Sequence, residues 1–245
     1  MEKLLFVTFC FLLINFSYSQ TQKTILHDGL TREYIEYVPS IYDGSSPVPL
    51  VICLHGLGDN MNNFSNLGFH QIADTANFIV LTPQALEAYV YSYNMGTAWN
   101  SGASYAGIVL NENVDDLGFI QALIDTTASL YNIDIHSVFL TGFSMGGFMC
   151  NRLACELTDK ITAIASVSGT LGNTITATPS HPIPVMHIHG TADGTVPYTG
   201  NQYGNDAEQL VSFYVLNNGC DMAPDIDSIP DVVNDGKCQV SQGCL

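Results

Sequence analysis

Two hydrophobic rhythms alternate along this chain. The first is a set of continuous apolar runs of strand length: "PLVICLHG" (Pro49 to Gly56), "FIVLTPQ" (Phe78 to Gln84), "SVFLTGFS" (Ser137 to Ser144), "ITAIASVSG" (Ile161 to Gly169) and "PIPVMHIHG" (Pro182 to Gly190). Runs like these, closed by glycine or polar turns, predict strands buried on both faces, as in a parallel sheet. The second has apolar residues at helical spacing. It predicts helices over Asn63 to Asn77, Val114 to Asn132, Met145 to Asp159 and Asp206 to Asn218. Asp115 and Asp116 open the second of these, where carboxylates suit the helix dipole. "REYIEYVPS", Arg32 to Ser40, alternates as an early strand does. Strand and helix alternating throughout predict an α/β fold, its sheet mainly parallel with helices on both faces. Ala85 to Asn113 shows no strong period and reads as a long loop at the carboxyl edge of the sheet, where open α/β sheets bind ligands.

The amino terminus stands apart. A charged start, the apolar core "LLFVTFCFLLINF" and the small residues of "SYS" read as a secretory signal over residues 1–19, with the alternative, a transmembrane anchor, disfavoured by its length. Residues 20–245 then form one domain of ordinary size, secreted to the periplasm or the outside. Its 23 acidic against 6 basic residues (net charge −17) argue against nucleic acid and anionic membranes and allow a neutral or sugar-rich substrate. Export permits disulfides, and the tail beyond the last helix predicts a bridge from Cys220 to Cys244 ahead of Cys238; Cys53, Cys150 and Cys155 read as buried thiols. No His/Cys spacing suits zinc, and nothing calls for a metal or cofactor.

"TGFSMGG", Thr141 to Gly147, carries G-x-S-x-G between a strand and a helix. That context makes it a nucleophile elbow with Ser144 at the tip. An oxyanion needs two backbone donors. The Met145 N–H, directly after the nucleophile, is one; the Leu57 N–H, in the turn "HGLGD", is the other. His55 reads as a structural residue of that turn, placed beside the substrate, rather than the base. "HIHGTADGTVP" supplies an acid, Asp193, after a strand and a glycine turn, able to orient an imidazole; an Asx turn is the plainer use of it. Asp115 and Asp116 are weaker candidates, being explained as helix-capping residues. Trp99 reads as a flat apolar wall for an acyl or aromatic group, or as a core residue.

Together, "PLVICLHGLGDN", "WNSGA", "VDDLGFIQALID", "TGFSMGGFMCNRLACE" and "HIHGTADGTVPY" resemble the secreted polyhydroxybutyrate depolymerase and feruloyl esterase-like family of α/β-hydrolases, from about Arg32 to Cys220. The resemblance implies hydrolysis of feruloyl or acetyl esters of plant polysaccharide, or of short polyesters, with Ser144 as nucleophile, Asp193 as acid and Trp99 near the cleft. In this fold the base follows the acid, and the family carries it in a glycine-rich "GGHTWPG"-like segment. No histidine follows His189. The expectation is therefore an esterase lineage whose terminal strand and histidine turn are missing from the sequence by truncation, leaving it weak or inactive. A non-catalytic sugar- or polyester-binding relative, or an acyltransferase, is the alternative.

Overall fold

The structure is a computed structural model that describes residues 20–221, 223–227 and 240–242. The signal-like residues 1–19, together with Cys238 and Cys244, lie outside the described residues.

In chain order the strands are β1 (Thr21–His27), β2 (Leu30–Tyr37), β3 (Val48–Leu54), β4 (Ile79–Pro83), β5 (Leu86–Val90), β6 (Tyr93–Ala98), β7 (Ser104–Tyr105), β8 (Ile108–Val109), β9 (Ile133–Phe143), β10 (Ala163–Val167), β11 (Val185–Ile188), β12 (Asp225–Asp227) and β13 (Val240–Gln242). The α-helices are α1 (Met61–Ser65), α2 (Phe69–Ala76), α3 (Asp116–Leu130), α4 (Met145–Glu156) and α5 (Ala207–Asn218). The main sheet runs β1-β2-β4-β3-β9-β10-β11. Its five strands from β4 to β11 are parallel, and the β1–β2 hairpin joins antiparallel at one edge. This is the α/β-hydrolase arrangement, a mainly parallel mixed sheet.

Both faces carry helices, unevenly. Residues of α3, α4 and α5 pack with Leu50, Ile52, Leu54, Leu140 and Ile164 in the large core. On the other face Phe64 of α1 and Ala73 of α2 cover Cys53 and Val80. Beyond them, among the described residues, this second face is uncovered over the last three strands. Phe143, Val167 and Ile188 lie in register across it, and Phe143, Met186 and Ile188 are each at least half exposed.

Three sequence expectations change. The helix expected over residues 63–77 is two helices, because Gly68 takes a left-handed conformation (φ 97°) between them. The expected loop over residues 85–113 holds two small ladders, β5–β6 and β7–β8. The strand β1 was not expected: its sequence TQKTILH is largely polar, as a half-exposed edge strand allows.

Asp115 caps α3 as read, accepting from the Gly118 N–H at 2.9 Å, but Asp116 does more than begin the helix. It is 1% exposed and binds the Arg32 guanidinium at 2.7 Å and the Asn100 N–H at 2.7 Å. Arg32, itself buried, stacks 3.9 Å above the Phe119 ring. Burial pushes the Asp116 carboxyl upward, and the Arg32 charge opposes that. The pair ties β2, α3 and the segment after Trp99 together.

Removing one partner leaves a buried charge alone, so Asp116→Ala is expected to cost about 3–5 kcal/mol in denaturant unfolding. Asp125→Ala, which breaks the exposed Lys160–Asp125 pair, should change stability by less than about 1 kcal/mol.

Candidate active site

Strand β9 ends at Phe143 and α4 begins at Met145, so Ser144 alone makes the turn. Its φ of 53° and ψ of −119° are strained for a residue with a side chain, a cost of about 1–3 kcal/mol. The neighbouring strand end holds it there: the Ser144 N–H donates to Val167 O at 2.8 Å, and Ser144 O accepts from the Phe148 N–H at 3.0 Å. The side chain is only half-buried and makes no capping bond to α4, which leaves the hydroxyl free for chemistry. The glycines are required by close approach. A Cβ on Gly146 would sit 2.0 Å from Leu54 O, and one on Gly142 would sit 2.3 Å from Gly146 O.

The turn after β3 lies against this elbow; a Cβ on Gly56 would come within 3.5 Å of Ser144 Cβ. The Gly58 N–H is bound to Thr97 O (2.9 Å) and the Asp59 N–H to Gly56 O (3.2 Å). The Leu57 N–H, just before them, has no acceptor among the described residues. The Met145 N–H opens α4, where first-turn donors lack intrahelical partners and the dipole favours negative charge.

His55 and Trp99, expected beside the substrate, are both completely buried. His55 Nδ1–H donates to Gly56 O at 2.8 Å, and Nε2 accepts from the Ala85 N–H at 3.1 Å. With both nitrogens engaged inside the protein, His55 cannot take a proton from Ser144. The Trp99 indole N–H donates to His55 O at 2.9 Å, and the two rings lie 5.2 Å apart. Trp99 is thus a core residue bracing the turn from behind, and offers no wall to a ligand.

Asp193 sits in the loop after β11, at the same carboxyl edge of the sheet as Ser144. Its Oδ1 accepts from the Thr195 and Val196 N–H groups, both at 2.9 Å, so the Asx turn and the candidate acid are one group. Burial raises its pKa, but the Val196 and Thr195 N–H bonds, the Ser168 hydroxyl and His189 outweigh that and hold it below the usual carboxylate range. Ser168 was not singled out from the sequence. It follows β10 with φ 49°, and its N–H donates to Ile188 O at 2.8 Å. The strand ends are therefore stepped: Ser144 hangs from β10, and Ser168 from β11. Two strand spacings, about 10 Å, separate the strands that present Ser144 and Asp193.

All seven histidines of the chain are described, and none has a bond to Ser144. His189 Nε2–H donates to Val196 O at 2.7 Å and lies 3.8 Å from Asp193 Oδ2. Its Nδ1 is then the acceptor for the His187 Nε2–H at 3.1 Å. His189 thus packs under the Asp193 loop with no lone pair to spare. His27 binds Asp115 at 3.0 Å, His70 lies near Gln20 and Ser65, and His181 is 3.6 Å from Asp159. His136 is exposed, near the amino end of the parallel strands.

Two outcomes follow from this geometry. Glycine relieves the backbone strain at the elbow, so Ser144→Gly should raise stability by about 1 kcal/mol in chemical denaturation. Burial lowers the His55 pKa, and burial followed by the His189 charge lowers that of His187 to about 4. The unfolded chain therefore takes up protons at a pH where the folded one does not. Stability is full above about pH 6.5 and declines as the pH falls. Thermal melts between about pH 7 and 5 should show the decline, and His187→Gln should flatten it.

The comparisons with known proteins agree with this architecture. Residues 39–222 match a family described as phospholipase/carboxylesterase. A bifunctional acetylxylan esterase/xylanase of Neocallimastix patriciarum is 31% identical over 172 residues, covering 69% of this chain and 22% of that protein. A probable feruloyl esterase C of Aspergillus clavatus is 32% identical over 200 residues, covering 78% of this chain and 63% of that protein. The chain thus spans less than two thirds of the length of these curated relatives. A crystal structure of a thermostable esterase superposes with a TM-score of 0.57 at 20% identity, over 81% of this chain and 51% of that one, and shares the fold. On the fold, the elbow and the family match together, the chain belongs to the phospholipase/carboxylesterase family of α/β-hydrolases, with feruloyl esterases among its relatives.

Proposed function

We propose that this protein is a secreted serine carboxylic ester hydrolase acting on feruloyl or acetyl esters of plant polysaccharide, and that these 245 residues supply its nucleophile, acid and oxyanion donors but not its base. The observation that carries the reading is Ser144: a side chain held in a strained turn at the helix start, half-buried, with its hydroxyl making no capping bond to the helix it opens. The acetylxylan and feruloyl esterases among the relatives support the substrate class; short polyesters such as polyhydroxybutyrate are the other arm of the test.

In this reading Ser144 Oγ attacks the ester carbonyl as its proton passes to a base. The carbonyl oxygen becomes an oxyanion facing the Leu57 and Met145 N–H groups, donors already in place before charge develops. Collapse expels the alcohol, which takes the proton, and leaves an acyl group on Ser144. Water then repeats the sequence and releases the acid. Asp193, kept ionised by its N–H donors, orients the base and stabilises its positive form. No step requires a metal or cofactor. Neither imidazole near the elbow and the acid serves as that base in this reading, since His55 and His189 are both committed to internal bonds.

The test compares this chain with a chimera extended by the C-terminal third of a feruloyl esterase C relative. The substrates are p-nitrophenyl acetate, methyl ferulate and polyhydroxybutyrate. The chain alone should turn over about six orders of magnitude more slowly than the chimera, and Ser144→Ala should abolish the chimera's activity. Ordinary turnover by the unextended chain, dependent on Ser144, would show that its base lies within these residues, with His189 the first to substitute. Preference for polyhydroxybutyrate over methyl ferulate would overturn the substrate assignment.

A further inference from the structure

The β5–β6 hairpin joins two features that neither the core nor the catalytic chemistry uses. Its tip carries three tyrosines exposed to solvent, Tyr89 at 63%, Tyr91 at 86% and Tyr93 at 76%. Its two-residue turn, Tyr91-Ser92, joins the paired residues Val90 and Tyr93 with φ of 47° and 73°. Both central residues of such a turn are left-handed, which Asn-Gly or Gly-Gly adopts readily and a tyrosine does not. A strained backbone thus presents an aromatic ring at the outermost point of the hairpin. None of the three hydroxyls has a hydrogen-bond partner among the described residues.

The base of the hairpin is fixed. Ala88 is buried, and Val90 packs against the core. Asn111 Nδ2 bridges Leu86 O at 3.0 Å and Ala98 O at 2.7 Å. The far strand lies against the oxyanion turn: the Gly58 N–H donates to Thr97 O at 2.9 Å, and a Cβ on Gly96 would sit 2.8 Å from Gly58 Cα. The hairpin therefore grows out of the wall of the proposed catalytic site.

We propose that this tip is a binding surface for a neutral polysaccharide chain, holding the polymer beside the elbow. The inference rests on the esterase reading above and adds to it how a polymeric substrate is retained. Exposed phenol rings offer an apolar face to the C–H face of a sugar ring and a hydroxyl to its polar rim. The hairpin has one acid, Glu87, and no base, and the net charge of −17 repels polyanions. The arrangement also selects the form of the polymer. Val90 and Tyr93 are opposite one another and share a face, Tyr89 lies on the other face, and Tyr91 is on the turn. Rings so disposed grip a single hydrated chain; a flat crystalline surface would meet them one at a time.

The experiment measures retardation in native gels containing soluble arabinoxylan, with adsorption to microcrystalline cellulose and to polyhydroxybutyrate granules alongside. All proteins carry Ser144→Ala, so binding is read without hydrolysis. The parent should be retarded by arabinoxylan. Tyr91→Gly, which relieves the turn and should not unfold it, should weaken binding about five-fold, the size expected for one stacked ring. Alanine at all three tyrosines should abolish retardation. Equal retardation of parent and both variants, no retardation of the parent, or stronger uptake by cellulose or the polyester granules would each overturn the proposal. Hydrolysis of p-nitrophenyl acetate by the Ser144-containing chimera tests the esterase reading separately: its loss with binding intact would sink that reading alone.

Discussion

The structure turns on a close approach between two strand ends and a helix start. At Gly146 the Leu54 carbonyl occupies the place a methyl group would take, and at Gly142 the Gly146 carbonyl does the same. Because these positions carry no side chain, α4 can begin within contact distance of β3 and β9 and cross back over the sheet. That proximity sets the turn after β3 against the elbow, where the Leu57 and Met145 N–H groups have no acceptor among the described residues. The strain at Ser144 is the counterpart: chain direction reverses within one residue, so that residue's side chain is left projecting.

Around this crossing, His55, Asp116 and Arg32 are buried polar groups that hold loops. His55 uses its imidazole to fasten its own turn and the Ala85 backbone, and its carbonyl to fasten Trp99. One residue further on, the Asn100 N–H is bound by Asp116, which is bound by Arg32. Two consecutive residues thus connect the turn after β3 to the sheet edge and to α3. A neutral imidazole and a buried ion pair do this work in different ways. The first must stay unprotonated, and the second is stable only while both charges are present.

Much of this was legible in the sequence because it follows from local patterns. Continuous apolar runs located the parallel strands, and the spacing around Ser144 and Asp193 located the residues at their ends. What was not legible depends on long-range pairing. Asp116 sits where helix-starting acids usually sit, and nothing local distinguishes a capping carboxylate from one bound to Arg32, 84 positions away. Trp99 lies in a segment without periodicity, so an indole braced against His55 reads the same as one lining a cleft. The β5–β6 hairpin was missed for a different reason. Leu86, Ala88 and Val90 do alternate, but Tyr-Ser is not a turn signal, and the strained turn appears only in the backbone angles. Gly68 breaks a helix that periodicity alone would have continued.

The bond between Trp99 and His55 has one more consequence. Trp99 is the chain's single tryptophan, so its indole emission comes from one place, the back of the turn after β3. The ring is sealed from water, and its N–H is tied to the carbonyl of the residue that opens that turn. Any shift of the turn would change the polarity around that indole. The protein thus contains its own optical reporter, without label or engineered probe, at the backbone that faces the Ser144 elbow.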